Sequence, residues 1–426
     1  MQKKNYWLTT LLLLPCLLHA QPDNRAFGDS TLRIDYELAG TNTATSVFMK
    51  QIKKEGLYAG SKSNLIDTRN YGTFRYRLTD AVSGLLLFSK GFAPLFDEWQ
   101  TTTQAATVPA GFYQTAILPF PRREVRFAID QRDDSGTFRE VFSVNVKPDD
   151  YFIIDEQPSD FEIVNILDNG SPSQKVDIVF LAEGYRHDEM DKFIADVHRM
   201  AGYLFAAEPF ASRKNDFNIS AVKTPSQESG TDIPGEHIYR NTAFSTTFYT
   251  FDEPRYLTTT DMKTIHDAAA STPYDFIYIL VNTERYGGGG FYNFLTVSSV
   301  DNPLSKQVLV HEFGHAFAGL ADEYYDASTG YDDEMYRLDV EPWEPNITTM
   351  TNFDAKWRSM LARKTPVPTP RTEKYRNTLG VFEGGGYRDK GVFSPMMDCR
   401  MRSNIAPGFC PVCIKAINDA IDLFTK

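Results

Sequence analysis

Two patterns of apolar and polar positions divide the chain into an N-terminal and a C-terminal part. Between residue 22 and about residue 150, short strand-like runs occur at 73–78, 85–88 and 125–129, separated by Gly, Asp and Asn. Side chains of a β-strand point alternately to the two faces of a sheet, so alternation of this kind predicts strands with one buried face. We therefore expect residues 21–150 to form an all-β, sandwich-like accessory domain.

The pattern changes after a proline-containing linker at 148–160. The first run that follows is apolar except for Asp177, which is typical of a strand buried on both faces of a sheet. Predicted strands of this part occupy 176–181, 217–222 and 276–281. Predicted helices occupy 188–206 and 260–270. Because strands alternate with helices, residues 151–426 are expected to form an α/β (α+β) domain.

Composition and charge restrict the class of protein. Of the 426 residues, 42% are hydrophobic and 23% are charged, which excludes a disordered chain, a collagen-like repeat and a polytopic membrane protein. The formal net charge is −12, and an acidic chain repels phosphate backbones. We therefore expect no nucleic-acid partner. The oligomeric state stays open.

The first residues have the layout of a cleaved signal peptide. Lys3 and Lys4 precede an apolar run over 7–18, which is too short for a membrane span of about 20 residues. We predict that residues 1–20 are removed and that the chain is exported to the periplasm, the cell surface or the medium, with no membrane span. A lipoprotein signal at Cys16 is the alternative, which the preceding proline fits poorly.

A short motif in the C-terminal part indicates metal chemistry. It reads His311-Glu-Phe-Gly-His315. Residues four apart lie on one face of a helix, so His311 and His315 can bind one Zn²⁺ ion. Zinc lowers the pKa of a bound water toward about 7, and Glu312 can then take its proton and later protonate the leaving amine. The remaining histidines of the processed chain are scattered and are not expected to bind metal: His187, His198, His237 and His266.

A third protein ligand is expected just after this motif. Gly319 tolerates the left-handed conformation that ends a helix, and the chain can then double back so that Asp322 faces the metal. This order resembles the metzincin arrangement, in which the third ligand follows a glycine by three residues. Here the glycine comes one residue later and the ligand would be a carboxylate. Glu323 is the alternative ligand. Whichever of the two carboxylates does not bind the metal would be available as an outer-shell partner of the site.

A metzincin also has a methionine turn beneath the zinc. The candidates are Met396, Met397 and Met401. We favour Met401, which lies in the sequence Cys-Arg-Met-Arg.

Three cysteines surround this turn: Cys399, Cys410 and Cys413. An oxidising compartment permits one disulfide among them and leaves one thiol over. The Cys-Pro-Val-Cys spacing is that of half a zinc knuckle, but no second pair completes one. We therefore expect a local staple that joins the methionine turn to a last helix over 411–424.

A glycine run at 287–290 precedes a predicted strand at 291–298. Because no Gly-Lys-Ser/Thr follows, we do not expect a phosphate-binding loop. A loop before an edge strand is favoured, and such a strand can hold a peptide by main-chain hydrogen bonds.

Together these residues resemble the IgA-peptidase-type zinc metallopeptidase family of secreted bacterial proteins. The resemblance covers about residues 160–426, and a β-rich N-terminal domain of this type is often attached. It rests on the zinc motif with Gly-Leu-Ala-Asp-Glu-Tyr324, on Val-Asp-Ile-Val-Phe-Leu-Ala-Glu-Gly-Tyr185, on Gly-Gly-Gly-Tyr387, and on Cys-Arg-Met-Arg with Phe-Cys-Pro-Val-Cys413. It implies a zincin/metzincin-like domain, endopeptidase activity on an extracellular protein or glycoprotein, and a role for Tyr387 in stabilising an oxyanion.

Two other functions stay open at this point. The first is a cell-surface glycan- or protein-binding protein with a non-catalytic zinc site, which would be closed by four protein ligands. The second is an amidase or deacetylase, which uses the same water chemistry on a non-peptide substrate.

Overall fold

The computed structural model describes residues 24–155, 158–325 and 336–426. The predicted signal peptide, residues 1–20, lies outside these ranges and stays a prediction. Within the described ranges, every helix is too short or too polar to traverse a lipid bilayer.

The N-terminal domain consists of two four-stranded sheets. Its strands are β1 (Phe27–Gly40), β2 (Thr45–Leu57), β3 (Phe74–Asp80), β4 (Leu86–Phe92), β5 (Ala110–Pro121), β6 (Val125–Arg132), β7 (Phe138–Val146) and β8 (Ile154–Asp155). One short helix, α1 (Leu95–Gln100), follows β4. The strand orders are β5-β1-β2-β8 and β4-β3-β6-β7. The two sheets share one core, in which the rings of Tyr36 and Tyr76 meet edge to face at 6.3 Å. Apart from α1, the domain is therefore a β-sandwich, as expected.

The C-terminal domain is built around a six-stranded mixed sheet. Its strands are β9 (Ile163–Leu167), β10 (Val176–Glu183), β11 (Phe217–Val222), β12 (Phe276–Val281), β13 (Gly288–Phe291) and β14 (Leu295–Ser299), with a separate hairpin of β15 (Phe382–Gly385) and β16 (Arg388–Ser394). Its helices are α2 (Met190–Leu204), α3 (Met262–Ala269), α4 (Ser305–Ala318) and α5 (Pro411–Thr425). The strand order is β13-β14-β12-β10-β11-β9, in which only the two outermost strands are antiparallel to their neighbours. The predicted mixed α/β domain is confirmed.

Local prediction succeeded where apolar runs are continuous. Strands β11 and β12 occupy the predicted ranges, and every residue of β10 is buried, as its apolar run indicates. The predicted strand at 291–298 is correct only in its second half, which belongs to β14, and its expected edge position is wrong. Asn293 has a positive φ of 50° and reverses the chain, so that β14 lies inside the sheet and the glycines of β13 form the edge.

The sheet is covered on both faces. Helices α2, α4 and α5 pack on one face, where the ring of Tyr278 contacts Phe313 of α4 and stacks on Phe180. Helix α3 and the N-terminal sandwich share the core on the other face. Arg33 of β1 is fully buried there and donates to Asp267 of α3 at 2.7 Å. The sandwich is therefore docked on the C-terminal domain by apolar and ionic contacts.

Candidate metal centre

Helix α4 carries the predicted motif on the side facing a cleft. His311 and His315 are one turn apart, and their Nε2 atoms are 3.0 Å from each other. The Nδ1 atom of His311 donates to the carbonyl of Arg400 at 3.0 Å, and that of His315 donates to the carbonyl of Leu320 at 2.5 Å. A carbonyl can only accept, so each Nδ1 carries a proton, and Nε2 is the nitrogen that faces the cleft and can bind a metal ion in place of a proton.

Asp322 completes the set of converging donors. Its Oδ1 lies 3.0 Å from Nε2 of His311 and 3.4 Å from Nε2 of His315. Helix α4 ends at Gly319 with a φ of 64°, as predicted, and the side chain of Asn346 then holds the backbone of Ala321 by two hydrogen bonds. The turn and this clamp direct Asp322 back toward the helix.

The electrostatics of this point favour a cation. Burial acts to raise the pKa of Asp322, but His315 and His311 outweigh it and hold that pKa well below its ordinary value. Burial likewise acts to lower the pKa of His315, but Asp322 outweighs it and raises the pKa to about 9. A positive charge between these groups, whether a proton or a metal ion, is therefore stabilised.

The donor set fits zinc. Zinc bonds to nitrogen and oxygen of about 2.0–2.2 Å place tetrahedral donors about 3.3–3.6 Å apart, close to the separations around His311, His315 and Asp322. Oδ1 of Asp322 is buried and has no hydrogen-bond partner within the described residues. Two imidazoles and one carboxylate leave a fourth position for water or substrate.

Glu312 follows the first histidine on the same helix. Its carboxylate is near both imidazoles, and burial raises its pKa above the ordinary value of a glutamic acid. Strand β13 lies directly against it: a Cβ added at Gly288 would be 2.8 Å from Cγ of Glu312. The glycine run therefore lets the edge strand approach the metal helix and forms one wall beside the predicted base.

We expect Gly290→Ala to destabilise the domain. A Cβ at this position would lie 2.2 Å from the main-chain oxygen of Glu312, so either the strand or the helix must move. Such overpacking costs about 1–3 kcal/mol, and urea unfolding monitored by fluorescence measures it. Gly202→Ala in the exposed part of α2 is the matched control, because no atom lies within 4 Å of its added Cβ. This control should gain about 0.5–1 kcal/mol from helix propensity, and equal losses in both variants would contradict the packing argument.

Met401 lies beneath the two histidines. It is fully buried, and its Sδ would be 3.1 Å from a Cβ added at Gly314, which is in the motif. Its main-chain oxygen accepts a hydrogen bond from Glu323 at 2.8 Å. Met396 and Met397 are only partly buried. The position of Met401 is that expected of a methionine turn, and its role stays a prediction.

Tyr387 is close to the donors in an unusual backbone conformation. It has a φ of 65° after the glycine run, and its hydroxyl donates to Oδ2 of Asp322. The hydroxyl is therefore well placed to orient the carboxylate.

The other four histidines lie away from the candidate metal centre. Three of them are exposed, and Nδ1 of the buried His266 is 2.7 Å from the hydroxyl oxygen of Tyr274, which is consistent with their exclusion as ligands.

The donors open into a cleft of about 610 Å³ between the two domains. Its walls include Glu98 and Arg132 from the N-terminal domain, and the hydroxyl of Tyr256 donates to Glu98 across the domain contact. Sequence reasoning missed these residues, because no local pattern marks them. The accessory domain thus forms part of the site.

The predicted cysteine staple needs correction. Cys399, Cys410 and Cys413 meet as expected, but their sulfurs are not bonded to one another. The sulfurs of Cys399 and Cys410 lie 3.8 Å and 3.5 Å from that of Cys413, whereas a disulfide requires about 2.05 Å. Glu323, the alternative zinc ligand, points into this cysteine cluster instead of joining the histidines.

Two family models match the chain. The family model described as IgA Peptidase M64 matches residues 164–378 and 371–421. The model described as Peptidase M64 N-terminus matches residues 23–143. A search of curated proteins finds no match. The family resemblance expected from the motifs is confirmed.

Proposed function

Because the chain belongs to the IgA Peptidase M64 family, we propose that it is an exported zinc endopeptidase that cleaves an extracellular protein. The observation that carries the proposal is the convergence of His311, His315 and Asp322 on one point, with Glu312 beside them. The turn at Gly319 and the burial of Met401 support a metzincin-like version of this site. The family name also makes immunoglobulin A a reasonable substrate to try first.

Bound zinc would polarise the scissile carbonyl and lower the pKa of the attacking water. Glu312 would accept a proton from that water and pass a proton to the leaving amine, for which its raised pKa suits it. The carbonyls of Arg400 and Leu320 hold the imidazoles in the tautomer that presents Nε2. The chain thus supplies proton transfer and ligand orientation from its own residues.

The site favours catalysis over a purely structural zinc. A closed structural site has four protein ligands, and Glu323, the nearest further carboxylate in sequence, is directed into another cluster. A cleft with walls from both domains also suits an extended polymer such as a polypeptide. An endopeptidase is therefore the function that this geometry supports best.

Chelation and reconstitution test the proposal. The zinc-loaded chain should cut casein or immunoglobulin A internally, and the fragments should have new N-termini visible by mass spectrometry. A chelator should stop the reaction, and added Zn²⁺ should restore it. Cleavage that continues at full rate in metal-free protein would overturn the proposal.

Tyr387→Phe should slow cleavage while leaving the fold intact. The variant loses the hydrogen bond to Asp322, and loss of such a partner of a metal ligand costs roughly 10–100-fold in activity or metal affinity. Initial rates at saturating Zn²⁺, together with a zinc titration, separate the two effects. Tyr239→Phe, at an exposed tyrosine, is the control. Wild-type rates and zinc affinity in Tyr387→Phe would show that this hydroxyl does not orient the ligand.

A further inference from the structure

Four buried donor side chains meet at a second place, behind the metal centre. They are Glu323, Cys399, Cys410 and Cys413, and one donor atom from each lies within 4.8 Å of all the others. None of the four is more than 3% exposed. They come from three segments: the loop after α4, the methionine turn, and the start of α5.

The spacing of these donors is that of a zinc tetrahedron. Zinc bonds of about 2.3 Å to sulfur and about 2.0–2.2 Å to oxygen give edges of about 3.8 Å between sulfurs and about 3.5 Å from sulfur to oxygen. The Sγ of Cys413 lies 3.8 Å from that of Cys399, 3.5 Å from that of Cys410, and 3.4 Å from Oε1 of Glu323. The three edges that meet at Cys413 therefore match those of a zinc tetrahedron, and the other three are no longer than 4.8 Å.

The hydrogen bonds of Glu323 also leave a role for a cation. Oε1 accepts from Nδ2 of Asn346 at 3.0 Å, whereas the buried Oε2 has no hydrogen-bond partner within the described residues. A disulfide would use two of the three sulfurs and leave a thiol and this oxygen unsatisfied. Burying an unpaired carboxylate is costly, and a metal ion offsets that cost.

Burial raises the pKa of the Cys399 and Cys413 thiols, whereas a helix end and one backbone N–H favour negative sulfur. Cys410 is the N-cap of α5, a helix of 15 residues, and Cys413 is in its first turn, where the positive end of the helix dipole favours negative sulfur. The backbone N–H of Cys410 donates to Sγ of Cys399 at 3.2 Å. Arg402 is close enough to Glu323 to interact with its charge. These groups balance part of the negative charge that four such ligands bring.

We propose that Glu323, Cys399, Cys410 and Cys413 form a second zinc site, closed by four protein ligands and structural in role. The site joins Glu323, which follows Asp322, to the turn that contains Met401. The same turn contains Arg400, whose carbonyl accepts a hydrogen bond from His311. Binding displaces the thiol protons and adds metal bonds between three segments that otherwise meet through packing and a few backbone hydrogen bonds. The proposal concerns residues outside the catalytic set and stands independently of the peptidase activity.

Metal counting tests it. The chain purified in reductant and loaded with Zn²⁺ alone should carry two zinc ions by native mass spectrometry. The double variant His311→Ala/His315→Ala should keep one, and Cys410→Ser/Cys413→Ser should lose the other. A histidine double variant that binds no metal, or a wild-type mass that reveals a disulfide among the three cysteines, would overturn the proposal.

Two further measurements cover a cysteine variant that fails to fold. The histidine double variant loaded with Co²⁺ should show thiolate-to-cobalt charge-transfer absorption, and its three cysteines should resist alkylation until a chelator is added. Glu323→Gln should release the second zinc to a chelator at least about tenfold faster than wild type, with exposed Glu383→Gln as control. Lack of the absorption band, or unchanged release in Glu323→Gln, would contradict the site.

Discussion

Glu312→Gln should lower kcat/KM for peptide cleavage roughly 10²–10⁴-fold, the usual contribution of a general base. The amide has nearly the same shape as the carboxylate but cannot accept the proton of the attacking water. Because we assign Glu312 to proton transfer and the metal to His311, His315 and Asp322, zinc content should stay that of wild type. Cleavage of casein or immunoglobulin A, with zinc measured on the same samples, gives both quantities.

Glu284→Gln is the matched control for this variant, since Glu284 is exposed and does not line the cleft. It should cleave at the wild-type rate. A Glu312→Gln protein that cleaved at the same rate would remove the proposed base and with it the mechanism.

Asp322→Ala should weaken zinc binding at the histidine site by at least about 100-fold. Removing a residue that only hydrogen-bonds to a metal ligand already lowers metal affinity about 10–100-fold, and Asp322 is itself a proposed ligand. The variant loses one of three donors and leaves the two Nε2 atoms, 3.0 Å apart, without the adjacent negative charge. Competition with a chromophoric chelator measures the affinity. Activity at low Zn²⁺ should disappear and return only in part at high Zn²⁺.

Asp389→Ala, at an exposed carboxylate of the hairpin, is the control and should bind zinc as wild type does. The comparison also decides between the two neighbouring carboxylates. Full zinc affinity at the histidine site in Asp322→Ala, with its loss in Glu323→Gln, would exchange the roles that the geometry gives to these residues.

Local patterns in the sequence carry much of the fold and part of the site. The continuous apolar runs that became β10, β11 and β12 are readable because strands inside a mainly parallel sheet are buried on both faces. The pair His311 and His315 is readable because helical periodicity alone brings residues four apart together. The helix end at Gly319 follows from the freedom of glycine to adopt a positive φ.

What could not be predicted depends on contacts between distant segments. Glu323 contacts Cys413 across 90 positions of sequence. The Cys-x-x-Cys spacing marks two of the cysteines, but no local pattern indicates that Glu323 joins them. Glu98 reaches the cleft only because the sandwich docks on the other domain. The reversal at Asn293 was hidden because the residues on both sides of it are apolar and favour strands.

We propose that three protein donors hold a zinc ion and leave one position open beside Glu312. Anomalous diffraction at the zinc edge from crystals of the zinc-loaded chain can locate this ion. We expect a peak bonded to Nε2 of His311, Nε2 of His315 and Asp322, with no fourth protein ligand. A fourth protein ligand on that ion, or no zinc between the two histidines, would contradict it.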